Sequence, residues 1–250
     1  MKKTCFFAIA LLGLWMTIGS VRAQDCAPLL DGCVSRWPGE GDAGDIIGMN
    51  CGELIGTVSF ADGMVGQAFN FDGDRNSWVR IADDPSLQLQ ELSVAAWVFP
   101  RTAGDVPDEL GAVVFVKDRG SVSGAPVSYA IIGPGVTGKF SVDLDFTDGT
   151  RTGLVFSANS FSFNQWYHVA LTWDGDTVSL FVNGNLENSQ EVGPKTIIYS
   201  SDDASIGRHA HIDRAYNGLI DEVAVFNRAL TLDEIQAVVD AGSAGWCPPE

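Results

Sequence analysis

The stretch NQWYHVALTWDGDTVSLFVNG, residues 164–184, restricts the fold more than any other part of the chain. Tyr167, Val169, Leu171 and Trp173 recur at every second position, the period of a strand with one buried face. Asp174-Gly175-Asp176 then turns the chain, because glycine accepts positive φ and aspartate can bond its own backbone. Val178, Leu180 and Val182 resume the alternation, and Asn183-Gly184 is the dipeptide favoured in a type I′ hairpin turn. Backbone geometry accounts for all of these residues. The hairpin is scaffold, and any site is mounted around it.

The same alternation runs through much of the chain. Leu92, Val94, Ala96 and Val98 form one face of a strand, with Trp97 and Phe99 on the other, and Pro100 stops it. Ala112 to Val116 is a continuous apolar run, the pattern of a strand covered on both faces. Phe140, Val142, Leu144 and Phe146 point inward, which sends Ser141, Asp143 and Asp145 toward solvent. With 28 glycines and repeated Gly/Asp/Asn turns between the apolar runs, the chain reads as all-β. One helix interrupts the pattern near the end. Thr231 and Glu234 form a capping box, Leu232, Ile235, Val238 and Val239 an apolar stripe, and Gly242 a C-cap.

Residues 1–23 have the layout of an export signal: Lys2 and Lys3, an apolar run from Phe6 to Trp15, and the cleavage-like Val21-Arg22-Ala23. Its removal leaves one domain over residues 24–250, secreted or periplasmic, with no membrane insertion. Cys26, Cys33, Cys51 and Cys247 then remain, an even number that suits two disulfides in an exported chain. The turn-rich loop between Cys33 and Cys51 favours the pairing Cys33–Cys51, leaving Cys26 with Cys247. Removing Lys2, Lys3 and Arg22 takes the formal charge from −17 to about −20, which argues against nucleic acid and anionic membranes as partners.

Four segments together resemble the laminin G type 3, or LamG-like jelly-roll, family of the concanavalin A-like lectin/glucanase superfamily. They are WPGEGDAGDIIG, GQAFNFDG, the central WYHVALTWDGDTVSLFVNG, and NGLIDEVAVFNRALTLDEIQAV, in that order. The closing AGSAGWC resembles family members that pair a terminal cysteine with one ahead of the WPGEG segment, which supports Cys26–Cys247. The resemblance implies a two-sheet antiparallel β-sandwich, a concanavalin A-like jelly roll, with one short C-terminal helix. It leaves function open, because such folds carry lectins, adhesion modules and hydrolases alike.

Glucanases of the superfamily place E-x-D-x-E or E-x-D-x-x-E on one strand, and no glutamate here begins such a pattern. Asp143 and Asp145 share a face but lack a third acidic partner, and His168, His209 and His211 form no nucleophile–base arrangement. The expectation is a non-catalytic binding or adhesion module that recognises a glycan or an extracellular protein; the alternative is a divergent glycan-active hydrolase or lyase. Asp221 shares a strand face with Leu219, Val223 and Val225, and a carboxylate there requires a partner. A hydrogen-bonded or arginine-paired aspartate is one answer and a hard cation the other; family resemblance points to a structural calcium beside Asp221, for which Asp72 is the candidate second ligand. For ligand stacking, Trp78 beside Arg80, and Tyr216 in the loop before the last strand, are the aromatic candidates.

Overall fold

The computed structural model describes residues 26–105, 108–120, 126–209 and 211–247. The expected export signal lies outside these residues. The chain first forms β1 (Cys33–Trp37), β2 (Gly52–Ile55), β3 (Ser59–Asp62), β4 (Gln67–Asp72) and β5 (Trp78–Ile81). Next come β6 (Leu92–Pro100), β7 (Val113–Asp118), β8 (Val127–Ile132), β9 (Ser141–Leu144) and β10 (Val155–Phe156). The last strands are β11 (Tyr167–Trp173), β12 (Thr177–Val182), β13 (Asn185–Glu191), β14 (Ala204–Ile206) and β15 (Asn217–Phe226), before helix α1 (Leu232–Ala241).

Two antiparallel sheets pack face to face. The first runs β13-β12-β11-β6-β15-β4-β3, with β1 also paired to β15; the second runs β10-β9-β8-β7-β14-β5-β2. Strand alternation places Tyr167, Val169, Leu171 and Trp173 in the core between them, with Leu92, Val94, Ala96 and Val98 from the neighbouring β6. The second sheet contributes Phe115, Tyr129, Ile131, Val142 and Leu144. Where indoles enter this core, their N–H groups find acceptors: Trp37 Nε1 donates to the Asn50 carbonyl at 2.7 Å and Trp173 Nε1 to Gln90 at 2.9 Å. The opening hairpin forms as its sequence dictates, Asp174 Oδ1 accepting from the Asp176 and Thr177 amides while Asn183 and Gly184 take positive φ.

The outer face of the first sheet is covered by α1 and the chain ends. Ile235 and Val238 pack with Ala95, Ala170, Phe181 and Phe226. The capping box of Thr231 and Glu234 is present, but Leu232 is exposed, so the helix buries a narrower stripe than its sequence suggested. Cys26 and Cys247 form the expected disulfide, reinforced by backbone bonds that Ala27 exchanges with Gly245 and Cys247.

The expected Cys33–Cys51 bridge does not form. Cys33 lies on β1 of the first sheet, opposite Phe226, whereas Cys51 immediately precedes β2 of the second. Cys33 is a free, half-buried thiol, pushed up to about 11 chiefly by burial, and Cys51 is engaged elsewhere.

Candidate functional site

Two places in the sandwich hold polar groups where the fold alone does not require them. One is a bulge in β15. Up to Ile220 this strand pairs with β4 on one edge; from Val223 onward β1 takes that edge. Asp221 and Glu222 fall at the changeover, where the register against β6 shifts and Glu222 adopts φ of +54°. The bulge resets the phase: Ile220, Val223 and Val225 face the core, so Asp221 does not share a face with Val223 and Val225.

Both carboxylates are buried. Glu222 is held by Arg36, through Nε at 2.6 Å and Nη2 at 2.5 Å. Asp221 Oδ2 accepts from the Val65 amide at 2.9 Å, and its Oδ1 has no hydrogen-bond partner. Desolvation pushes the Asp221 carboxyl up to about 8, and the negative Glu222 and Glu40 nearby add to it. The loop at residues 63–66 fits these acids only because it carries glycines: a Cβ on Gly63 would lie 2.6 Å from Asp221 Oδ2, and one on Gly66 would collide with Glu40.

Asp72 is not part of this arrangement. It pairs with Asn217, four residues before Asp221 along β15, a separation of roughly 13 Å at the rise of a strand. It is exposed and closes its own turn, Oδ1 accepting from the Asp74 amide. Among the described residues no three acidic, histidine or cysteine side chains gather tightly enough to hold a metal ion.

The second place is a pocket of about 260 Å³ on the outer face of the second sheet. Val113, Val127, Ala130 and Ile132, outward-facing residues of β7 and β8, form its floor. Leu110, Leu154 and Ile212 from the loops form apolar walls, while Asp143, Arg151, His209 and Arg214 supply the polar lining. The walls are tied together. Arg214 makes two bonds to Asp108, at 2.9 and 2.8 Å, and a third to the Gly111 carbonyl. Hydrogen bonding from Arg214 holds the Asp108 carboxyl down at about 2.

This pocket changes the status of the β9 acids. Asp143 and Asp145 do project outward, but they are only 2% and 4% exposed because loops close over them. Arg151 bridges the two, bonding Asp143 and lying 3.4 Å from Asp145, which also accepts from Arg119 at 3.0 Å. Desolvation raises the Asp143 carboxyl above the ordinary range, against the pull of Arg151. His209 is similarly buried, and desolvation, with His211 and the cationic Arg214 and Arg208 nearby, lowers it to about 4. Its Nδ1 lies 3.1 Å from Asp118 and 3.2 Å from the aligned amide of His211, contacts that ask for opposite protonation. Burial keeps the ring neutral. Nε2 has no partner.

The aromatic candidates part company. Trp78 lies on the same outer face as the pocket, at the start of β5, and the Arg208 guanidinium covers its ring at 4.5 Å. Tyr216 is in the core, 2% exposed and edge-on to Phe71, so it offers no ring to a ligand. His168 is buried edge-on against Trp97, consistent with a structural role. The sequence did signal the pocket floor indirectly: the continuous apolar run of Ala112 to Val116, in β7, announces a strand covered on both faces.

Residues 72–236 match the model of the laminin G type 3 family, described as the concanavalin A-like lectin/glucanases superfamily. The chain belongs to this family. The match leaves the WPGEGDAGDIIG segment outside its span. No curated protein matches the sequence. Among solved structures, this laminin G type 3 domain is similar to domain 4 of AbnA, a GH43 extracellular arabinanase from Geobacillus stearothermophilus, in complex with arabinotriose. That likeness has a TM-score of 0.61 at 20% identity and covers 82% of this chain and 96% of the other. The binding domain of Paraclostridial Mosquitocidal Protein 1 is similar at TM-score 0.64 and 16% identity, over 84% of this chain and 52% of that one. For the botulinum neurotoxin serotype G binding domain the figures are 0.61 and 15%, over 83% and 50%. The chain thus spans about half of each toxin domain, and at these identities the likeness is one of fold.

Proposed function

We propose that this laminin G type 3 domain is an exported, non-catalytic binding module that recognises a glycan through the pocket on the second sheet. The observation that carries this reading is the pocket: a preformed concavity with an apolar floor, locked walls and a few converging polar groups, the usual composition of a ligand site. Structural neighbours that are largely binding domains, one of them in complex with arabinotriose, support it. A calcium ion at Asp221 would serve the fold rather than the ligand, supplying the charge that the unpartnered Asp221 oxygen lacks. Among the described residues no helix is long and apolar enough to cross a membrane.

A glycan array read with and without EDTA tests the module. Retention of a glycan by the wild type, lost when the pocket is filled by Ala130→Leu, is the expected result; retention untouched by that change in a folded protein removes the pocket from the reading. The buried Asp143, whose carboxyl desolvation raises above the ordinary range, favours one second reading, a divergent hydrolase or lyase with Asp143 as acid. Polysaccharide cleavage abolished by Asp143→Asn would establish it in place of the first.

A further inference from the structure

An arginine without a carboxylate partner stands beside the pocket and narrows the class of glycan, an inference that rests on the pocket being the recognition site. The segment from Asp202 to Arg214 supplies His209, Ile212 and Arg214 to the pocket lining. Its other ionisable side chains are matched. Asp203 holds Arg80 at 2.5 Å, Asp213 holds Arg75 at 2.7 Å, and Arg214 holds Asp108 at 2.8 Å. His209 lies 3.1 Å from Asp118, and His211 lies 3.5 Å from Asp202. Among the described residues no carboxylate pairs with Arg208, whose contact is with Trp78.

The fold fixes this guanidinium by other means. Gly207 leaves β14 at φ of +84°, where a Cβ would collide with the Phe71 ring, and the turn sets Arg208 above Trp78 at the start of β5. The guanidinium carbon stands 4.5 Å from the indole centroid, a cation–π contact that occupies one face of the planar group. Its Nε is buried without a partner, whereas Nη1 and Nη2 make no bond to a described residue and stay accessible. A stacked guanidinium keeps its N–H groups in one plane, the fork that meets a carboxylate or sulfate with two parallel bonds. An anion arriving there displaces nothing. One approaching Arg151 or Arg214 would compete with Asp143, Asp145 and Asp108.

We infer that Arg208 is an anion subsite beside the pocket, its Nη1 and Nη2 taking one carboxylate or sulfate ester of an acidic glycan whose neighbouring sugar fills the pocket. Trp78 is a positioning residue, holding the guanidinium flat while offering no ring face to a sugar. With a formal charge of −17 the chain as a whole repels a polyanion. Salt at physiological strength screens charges beyond about 8 Å, so a single acidic sugar responds chiefly to Arg208. The ligand class is therefore a glycan with isolated acidic residues along an otherwise neutral chain.

An array of matched pairs tests this, each neutral glycan beside the same glycan bearing one acid. Xylotriose with glucuronyl-xylotriose probes the carboxylate, and lactose with lactose 3′-sulfate the sulfate ester. The expected result is about tenfold or greater preference for the acidic member of a retained pair. Arg208→Gln should retain both members alike at an unchanged melting temperature, and Arg208→Lys, which keeps the charge without the fork, should restore only part of the preference. Trp78→Leu should lower the acidic-to-neutral ratio and leave retention of the neutral member as it was. In the wild type, added salt should weaken retention of the acidic member and spare the neutral one, a readout that needs no variant. Equal retention of both members, blocked by Ala130→Leu, would overturn the anion subsite and leave the pocket as a glycan site. An acidic preference that survives Arg208→Gln would also overturn the subsite. A preference lost in Arg208→Gln but untouched by Ala130→Leu would overturn the pocket reading and keep the subsite, and retention of no pair would overturn both.

Discussion

Replacing Asp221 by Asn isolates the energetic consequence of burying an acid at the β15 bulge. Without a cation, burial pushes the Asp221 carboxyl up to about 8 in the folded protein from an ordinary value of 3.8. The native state then keeps a proton that the unfolded chain has released. Unfolding gains on folding as pH rises: this contribution to stability is whole below about pH 4 and is lost as pH climbs through 8. The slope is ~1.4 kcal/mol per pH unit, so stability falls by ~2.7 kcal/mol between pH 5 and pH 7. Asparagine preserves the shape and an oxygen to accept from the Val65 amide, but it does not titrate.

Urea unfolding in EDTA, at half-unit pH steps, should therefore show the Asp221→Asn variant gaining ~2.7 kcal/mol on the wild type from pH 5 to pH 7. All other titrating groups are common to both proteins and cancel in the difference. A gap that stays constant across that range refutes the placement of Asp221 as a buried acid lacking a compensating charge. Calcium at a hundred times its dissociation constant should then stabilise the wild type at pH 7.5 by ~2.7 kcal/mol and the variant far less. Equal responses, or none, would remove the cation from the proposal and leave the proton balance standing.

Three further outcomes follow from other residues. Burial lowers His168 to about 4, so the unfolded chain takes up a proton first as pH falls below 6.5; His168→Phe should flatten the loss of stability between pH 6 and pH 4.5 by ~1.4 kcal/mol per pH unit in urea titrations. Tyr216→Phe removes a buried hydroxyl that has no partner, so its unfolding midpoint should equal or exceed that of the wild type, with glycan retention unchanged. Cys26→Ser opens a loop closed across 221 residues and should cost about 3–5 kcal/mol, read as a fall in the urea midpoint.

The parts of this fold legible in the sequence are those set by neighbours along the chain. The alternation of Tyr167 to Trp173, the turns at Asp174 and Asn183, and the Thr231–Glu234 box all need only a few adjacent residues to declare themselves. Legibility ended where distant segments decide the outcome. Alternation correctly sent Asp143 and Asp145 to the outer face of their sheet, yet period alone carries no information about loops folding over that face. Tyr216 follows a polar loop in sequence but is drawn under Phe71 by the strand it precedes. The phase of β15 broke at Asp221 because the strand changes partners there, and nothing local in LIDEV marks the change. The pocket was least visible, since its lining comes from segments separated along the chain and joined only by the register of β7, β8 and β9.

The link between Cys26 and Cys247 has a mechanical consequence. Their Cα atoms are 5.0 Å apart, so a pull applied to the chain on either side of the domain enters and leaves at nearly one point. Tension is then carried by a covalent bond instead of by the hydrogen bonds of β1 and β15. The sandwich, with whatever its pocket holds, stays outside the line of force, and reduction of that one bond would convert a module that transmits load without unfolding into one that unravels under it.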